Sequence, residues 1–170
     1  MTKQEEYIDF LKTKQKNIIE SGFNIKESQL NPMLFDFQKF TVKRALRAGK
    51  YAVFADTGQG KTPMQLEISR LVTEKTELNT LILAPLAVSG QTIEEGKKFG
   101  IEVRRLNELD DATDEAIYIS NYEQIQNIDT SLFGCIILDE SSILKNETGK
   151  YRNLLIEKFK DTPYKFCFSA

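Results

Sequence analysis

A short glycine-containing segment limits what this chain can fold into more than any other feature. Residues 55–62 read Ala-Asp-Thr-Gly-Gln-Gly-Lys-Thr, after the apolar run 51–54 and before a helical pattern. Gly58 and Gly60 allow a tight turn, and the following helix directs its unpaired N–H groups and positive dipole end toward that turn. A strand, a glycine loop and a helix in this order predict a phosphate-binding loop.

The side chains of this loop have the chemistry of a triphosphate site. Lys61 is placed to neutralise the β- and γ-phosphates, and the Thr62 hydroxyl is placed to ligate Mg²⁺. The residues predicted to contact the nucleotide here are Thr57, Gly58, Gln59, Gly60, Lys61 and Thr62. The usual phosphate-loop pattern has glycine at the position of Ala55, so the prediction needs a second element.

The second element is an apolar run that ends in two acids. Residues 135–138 are apolar, and Asp139 and Glu140 follow them directly. This pattern predicts a buried parallel strand, and open α/β sheets bind ligands at the carboxyl ends of such strands. We expect Asp139 to hold Mg²⁺ through its water shell and Glu140 to orient or deprotonate an attacking water. The predicted catalytic residues are therefore Lys61, Asp139 and Glu140.

The composition excludes several classes of protein. A chain of 170 residues, 41% apolar and 28% charged, is long enough for one ordinary globular domain. It contains no histidine, which excludes Ser-His-Asp catalysis, Cys-His catalysis and zinc sites that use histidine. A net charge of −2 gives no overall signature of nucleic-acid binding, so any such binding must come from a local basic face.

Cysteine placement and hydropathy bear on the compartment. Cys135 and Cys167 each lie within an apolar run, which favours buried thiols over a disulfide framework. No apolar run approaches the length of a membrane span, and the N-terminus lacks an apolar signal core. We therefore expect a soluble, cytoplasmic protein.

The remaining patterns alternate between strands and helices. Apolar runs predict strands near residues 51, 80, 102, 116, 135 and 164, with helical patterns between them. This alternation predicts an α/β fold with a mostly parallel sheet and helices on both faces. Right-handed crossovers would then bring Lys61, Asp139 and Ser169 to one edge of the sheet.

Several flanking elements are also predicted. An amphipathic helix over residues 4–21 lies outside the nucleotide machinery, and packing against the domain is favoured over docking to a partner. A helix through Arg47 should end at Gly49. A loop over residues 85–91 should precede a helix that begins near Thr92, and that loop either holds a nucleic-acid phosphate or is a plain turn. The inner face of the last helix, which runs to about Lys160, is assigned to Leu154, Leu155, Ile156 and Phe159.

The ordered motifs resemble those of superfamily-two helicases and translocases. Residues 55–62 resemble motif I, in which this family accepts alanine first, and residues 139–142, Asp-Glu-Ser-Ser, resemble motif II. Residues 83–86 are similar to motif Ia, and residues 119–123 to the strand-contacting motif before the acidic box. Ser169 and Ala170 match the start of the Ser-Ala-Thr motif III. The likeness is strongest to Swi/Snf-like DEAD-type helicases of bacteriophages and prophages.

The resemblance implies a RecA-like P-loop NTPase lobe that uses ATP and Mg²⁺. It implies that Gln38 reads adenine and that DNA, favoured over RNA, is the nucleic-acid partner. The residues that it assigns to the nucleic acid are Pro85, Ser89, Gln91, Asn121 and Tyr122. Residues 1–30 would be an N-terminal helical extension and residues 31–170 the ATP-binding lobe. Family members carry histidine or aspartate at the position of Ser142, so this departure bears on how hydrolysis is coupled to strand movement.

The resemblance also implies a missing part. Family members have a second RecA-like lobe with arginine fingers, whereas this sequence ends within motif III. We therefore expect the chain alone to bind ATP but to hydrolyse it poorly. The alternative is a short, non-catalytic module that keeps the fold and recruits a partner protein or nucleic acid. A phosphate-loop kinase is disfavoured, because nothing in the sequence resembles a lid or an acceptor pocket.

Overall fold

A six-stranded sheet, parallel throughout, organises the computed structural model, which describes residues 20–106, 115–142 and 150–170. The strands are β1 (Lys50–Phe54), β2 (Asn79–Leu83), β3 (Arg104–Arg105), β4 (Ile117–Ser120), β5 (Phe133–Leu138) and β6 (Tyr164–Ser169). The α-helices of the described residues are α1 (Asp36–Ala48), α2 (Lys61–Thr76), α3 (Leu86–Lys98) and α4 (Lys150–Lys158). Short 3₁₀ helices span Glu27–Gln29, Tyr122–Gln126 and Thr130–Leu132. The predicted α/β fold is confirmed.

The strand order determines which loops meet. The strands lie in the order β1-β6-β5-β2-β4-β3, so β6 separates β1 from β5. The glycine loop follows β1, and the acids follow β5. Because parallel strands end at the same edge, the segments after β1, β5 and β6 lie side by side at the carboxyl edge of the sheet.

Alternate residues of the central strands pack into two cores, one on each face of the sheet. Along β2, Ile82 belongs to the core that also holds buried residues of α1 and α2, whereas Leu81 and Leu83 belong to the opposite core with Leu155 of α4. Successive side chains of a strand point to opposite faces, so a run that is apolar at every position is buried on both sides. Helices on both faces are confirmed, as is the burial of Cys135.

An extended segment closes the end of α1. The N–H groups of Ser21, Gly22 and Phe23 donate to the carbonyl oxygens of Ala48, Arg47 and Leu46 at 3.2, 3.2 and 3.0 Å. These carbonyls lie in the last turn of α1, where no intrahelical donor is available. Gly49 follows with a φ of 72°, as the predicted left-handed C-terminal cap requires. The predicted helix over residues 4–21 lies almost wholly outside the described residues.

Two details of the predicted elements are wrong. The loop predicted over residues 85–91 is instead the start of α3, which begins at Leu86 with Pro85 as its N-cap. Proline is well tolerated where no N–H is needed, and the Val88 N–H donates to the Pro85 carbonyl at 2.9 Å. Ile156, which was assigned to the inner face of α4, is 60% exposed. Among the described residues, no helix is long and apolar enough to cross a membrane.

Candidate functional site

The glycine loop adopts a conformation that needs its glycines. Gly58 and Gly60 have φ values of 84° and 70°, in the left-handed region, and the second is the N-cap of α2. A Cβ atom at Gly60 would lie 2.2 Å from Nε2 of Gln38. The Gln59 N–H donates to the Asp56 carbonyl at 3.2 Å, which tightens the turn. The loop therefore leads directly into the N-terminus of α2, where unpaired N–H groups and the positive end of the helix dipole favour an anion.

Lys61 lies inside this turn. Its Nζ donates to the carbonyl oxygen of Ala55 at 2.9 Å, and the side chain is half-buried. Lys61 is the first residue of α2, and Thr62 is the second. The ammonium group therefore already lies against the loop backbone, where an incoming phosphate could replace the carbonyl as its partner.

Asp139 is held by partners from two other elements. Nε2 of Gln65, one turn along α2 from Lys61, donates to Oδ1 of Asp139 at 2.6 Å. The hydroxyl of Tyr122 donates to the Asp139 carbonyl at 2.7 Å, and the Asp139 N–H donates to the carbonyl of Leu83 at 2.8 Å. The carboxylate is thus fixed relative to both the glycine loop and the neighbouring strand.

The electrostatics of Asp139 reflect this burial. Desolvation raises the pKa of Asp139 above its ordinary value, and the charge of Glu140 raises it further. The hydrogen bond from Gln65 and the positive charge of Lys61 lower the pKa, and so favour the carboxylate. The glycine loop and the acidic strand end lie near each other, since Gln65, on the helix that begins at Lys61, bonds Asp139 directly.

Glu140 has an unusual backbone. Its φ is 53°, which is rare for a residue with a side chain and is commonly found at functional sites. Oε1 of Glu140 accepts hydrogen bonds from the hydroxyls of Ser142 and, at 3.3 Å, Ser169. Ser169 ends β6, the strand between β1 and β5, so the segment that resembles motif III contacts the segment that resembles motif II.

The oxygen donors present fit Mg²⁺. Magnesium commonly uses one or two carboxylates together with waters and substrate phosphates, and Asp139 and the Thr62 hydroxyl have this chemistry. Within the described ranges, no cluster of three or more acids, cysteines or histidines forms a closed metal cage. Gln65 is fully buried, and its Oε1 has no hydrogen-bond partner in the described part of the chain. This acceptor is available to a donor such as a water.

A cavity of about 600 Å³ lies beside the glycine loop. The rings of Phe35 and Phe37 at its rim stack with centroids 6.1 Å apart and planes 10° apart, and both are largely exposed. The full lining is Met33, Phe35, Phe37, Gln38, Gly58, Gln59, Gly60, Pro63, Glu95 and Phe99. Aromatic faces next to a phosphate loop are suited to a planar base.

Gln38 lines the cavity, but its amide already has partners. Its Oε1 accepts the Phe35 N–H at 2.9 Å, and its Nε2 donates to the carbonyls of Gln59 and Gly60 at 3.4 Å each. The side chain is only 3% exposed. Gln38 therefore links α1 to the glycine loop.

The predicted nucleic-acid residues do not form one exposed surface. Tyr122 is buried with its hydroxyl on the Asp139 carbonyl, and Ser89 is buried within α3. Gln91 is exposed on α3, and the Asn121 side chain accepts the Gln124 N–H as a helix cap. Pro85 is half-buried at the start of α3.

The sequence analysis missed Gln65 and the aromatic rim. A polar residue one turn after Lys61, among the apolar residues Met64, Leu66 and Ile68, is the signal that could have identified Gln65. Phe35 and Phe37 were visible as closely spaced aromatics, but the sequence did not indicate that they meet the loop.

The chain is similar to a protein family and to several solved structures. The family model described as "Type III restriction enzyme, res subunit" matches residues 3–170. No curated protein matches the sequence. Among solved structures, the SWI2/SNF2 ATPase core of Sulfolobus solfataricus in complex with dsDNA is similar, with a TM-score of 0.73, 21% identity and coverage of 86% of this chain and 34% of that chain.

Two further structures are similar to the chain. The UvsW helicase of bacteriophage T4 has a TM-score of 0.67 and 18% identity, over 98% of this chain and 59% of that one. The restriction-modification enzyme LlaGI, in complex with a DNA substrate mimic, has a TM-score of 0.56 and 15% identity, over 81% and 17%. The chain thus spans less than two thirds of the length of each of these three chains. The chain belongs to the family of the type III restriction enzyme res subunit, and it has the RecA-like α/β fold found in the SWI2/SNF2 ATPase core and in the UvsW helicase.

Proposed function

We propose that this chain is the ATP-binding motor lobe of a DNA-dependent helicase or translocase. The main observation that supports this proposal is the 2.6 Å hydrogen bond from Gln65 to Asp139. It ties the helix that begins at Lys61 to the strand end that carries the acids. A lysine-tipped glycine loop and an acidic pair joined in this way can hold one magnesium triphosphate.

The phosphates are bound by the loop in this proposal. Backbone N–H groups of the loop and the N-terminus of α2 bind the β- and γ-phosphates, while the Gln59 N–H keeps its bond to the Asp56 carbonyl. Lys61 exchanges its bond to the Ala55 carbonyl for bonds to phosphate oxygens. Thr62 and Asp139 hold Mg²⁺, which neutralises phosphate charge when it is bound.

The acid–base role falls to Glu140. Its carboxylate orients the attacking water and accepts its proton, while the hydroxyls of Ser142 and Ser169 hold the carboxylate in place. Because Ser169 ends a different strand, a shift of β6 relative to β5 would alter the position of the Glu140 carboxylate. This is a route by which hydrolysis could be linked to movement despite the departure at Ser142.

The base is proposed to bind in the cavity beside the loop. Phe35 and Phe37 would stack on its face. Gln38 would read adenine by giving up its two long hydrogen bonds of 3.4 Å to the loop carbonyls. An amide can both donate to and accept from the adenine edge.

The remaining parts of the motor are proposed to lie outside this chain. Duplex DNA is the proposed polymer, since the Sulfolobus structure contains it, and Pro85, Gln91 and Asn121 remain candidate contacts.

A phage origin is supported by the similarity to UvsW. Residues 1–30 are proposed as an extension of the lobe formed by residues 31–170. Arginine fingers from a second lobe contribute about 10³ to 10⁵ in rate in related enzymes.

Calorimetry on Lys61→Ala tests the proposal. We expect wild type to bind ATP with Mg²⁺ and the variant to lose that binding, because the phosphate charge is no longer neutralised. Lys75→Ala is the matched control, since Lys75 is an exposed lysine at the far end of the same helix. Unchanged affinity in Lys61→Ala would overturn the phosphate-site assignment. A wild-type chain that binds no ATP would favour the non-catalytic module instead.

A further inference from the structure

We propose that Glu67 is a positioning residue for the base cavity. This inference rests on the proposed function and concerns a side chain that does not line the cavity. Glu67 lies in the middle of α2 and fastens the turn at residues 31–34, which leads into the aromatic rim. Its effect should therefore fall on the base of the nucleotide and not on the phosphates.

The geometry around Glu67 is that of an anchor. Its side chain is fully buried. Oε1 accepts the N–H of Asn31 at 2.8 Å, a contact between residues 36 positions apart. Arg70 donates to both carboxylate oxygens, at 2.8 and 3.0 Å, and also to the Gln29 carbonyl at 2.8 Å. A buried carboxylate is costly unless it is paired and hydrogen-bonded, and here its bonds hold a loop and not another helix.

Asn31, which is bonded to Glu67, also forms hydrogen bonds with two other segments. Its Nδ2 donates to the Phe99 carbonyl at 2.9 Å, at the end of α3. Its Oδ1 accepts the Met33 N–H at 3.1 Å, and its carbonyl accepts the Leu34 N–H at 3.2 Å. Met33 and Phe99 both line the cavity. Asn31 thus joins two parts of the cavity wall that come from different elements.

The hydrogen bonds continue to the glycine loop. After the turn, the Phe35 N–H donates to Gln38 at 2.9 Å, and Gln38 reaches the carbonyls of Gln59 and Gly60. Glu67 lies on the same helix that begins with Lys61 and so shares a rigid frame with the phosphate site. Loss of the anchor would free the Met33–Phe35 wall while leaving the N-terminus of α2 intact.

Comparing the binding of ATP with that of inorganic tripolyphosphate separates an effect on the base cavity from an effect on the phosphate site. Both ligands are titrated with Mg²⁺ into wild type, Glu67→Ala and Asn31→Ala by calorimetry. Glu74→Ala is the matched control, because Glu74 also pairs with Arg70, at 2.8 Å, but is exposed and is not a partner of Asn31. We expect the Kd for ATP to rise about tenfold in the first two variants, while the Kd for tripolyphosphate stays within about twofold.

The possible outcomes are distinct. A smaller ratio of the Kd for tripolyphosphate to the Kd for ATP in Glu67→Ala, with Glu74→Ala like wild type, supports the positioning role. Asn31→Ala keeps the backbone N–H that bonds Glu67, so the same change there supports the onward links from Asn31 to Phe99 and Met33. An unchanged ratio, even with a lower Tm, overturns it and leaves Glu67 with a role in stability alone. If Glu67→Ala does not fold, Glu67→Gln decides, since it keeps the size of the buried side chain but replaces one carboxylate oxygen by an amide group that cannot accept a hydrogen bond. Failure of wild type to bind either ligand would instead overturn the proposed function.

Discussion

At the scale of single residues, Gln65 connects the helix that begins at Lys61 to the acidic end of β5. Its amide is fully buried, donates to Asp139 at 2.6 Å, and has an acceptor oxygen without a partner among the described residues. A hydrogen bond to a charged group contributes about 1.5 to 3 kcal/mol. Gln65 is therefore suited to hold Asp139, the proposed magnesium ligand, in one orientation.

Replacement of this amide should weaken the metal-dependent part of binding. In Gln65→Leu, the Asp139 carboxylate loses its only side-chain donor seen among the described residues. We expect the affinity for ATP to fall about tenfold with Mg²⁺ present and to be unchanged with a chelator. Calorimetry under both conditions measures this. Ser69→Ala, which removes a buried hydroxyl bonded to the Gln65 carbonyl, is the control. An equal loss with and without Mg²⁺ would count against the role of Gln65.

At the scale of elements, the segment at residues 21–23 and helix α3 contain glycines in opposite settings. A Cβ atom at Gly22 would lie 1.8 Å from the carbonyl oxygen of Leu46, the acceptor for the Phe23 N–H. A Cβ atom at Gly90, in α3, would meet nothing within 4 Å. The segment therefore closes α1 only because its backbone can approach that closely.

The two glycines should respond to alanine with opposite signs. We expect Gly22→Ala to lower the free energy of unfolding by about 1 to 3 kcal/mol, as overpacking does. Gly90→Ala should raise it by about 1 kcal/mol, because alanine restricts the unfolded chain and favours a helix. Urea unfolding of both variants measures the change. An unaltered midpoint in Gly22→Ala would mean that the segment does not pack against α1 in solution.

At the scale of the whole molecule, the strand order places β6 between β1 and β5, whose ends carry the glycine loop and the acidic pair. The hydroxyl of Ser169, at the end of β6, donates to the Glu140 carboxylate, the proposed base. In the proposed motor, the charge that develops on the transferred phosphate is neutralised partly by a second lobe. The lobe alone can then bind nucleotide without stabilising the transition state.

Turnover measurements test this division of labour. We expect this chain to hydrolyse ATP about 10³-fold or more slowly than a longer version that includes a second lobe. Duplex DNA should stimulate the longer version and leave the single lobe unchanged. Phosphate release is measured for both, with Lys61→Ala as the background control. DNA-stimulated hydrolysis by this chain alone would show that the site is already complete.

The sequence by itself determined those structural elements that follow from a short pattern of neighbouring residues. The glycine loop, the left-handed cap at Gly49, and the apolar run before Asp139 each follow from backbone freedom or from burial of a strand on both faces. The predicted start of α3 was wrong because we expected a loop to continue from Pro85. Proline is also well tolerated at the start of a helix. The order of the motifs was enough to predict the resemblance to superfamily-two helicases and translocases.

Only the tertiary structure decided which side chains meet. Gln65 and Asp139 lie 74 positions apart, and Glu67 and Asn31 lie 36 apart, so no local pattern relates them. The burial of Tyr122, whose hydroxyl supports the Asp139 backbone, also depends on how β4 and β5 pack on either side of β2. Local chemistry sets the conformation of a segment, whereas contacts between distant segments depend on the strand order, because each strand brings its loop to a particular neighbour.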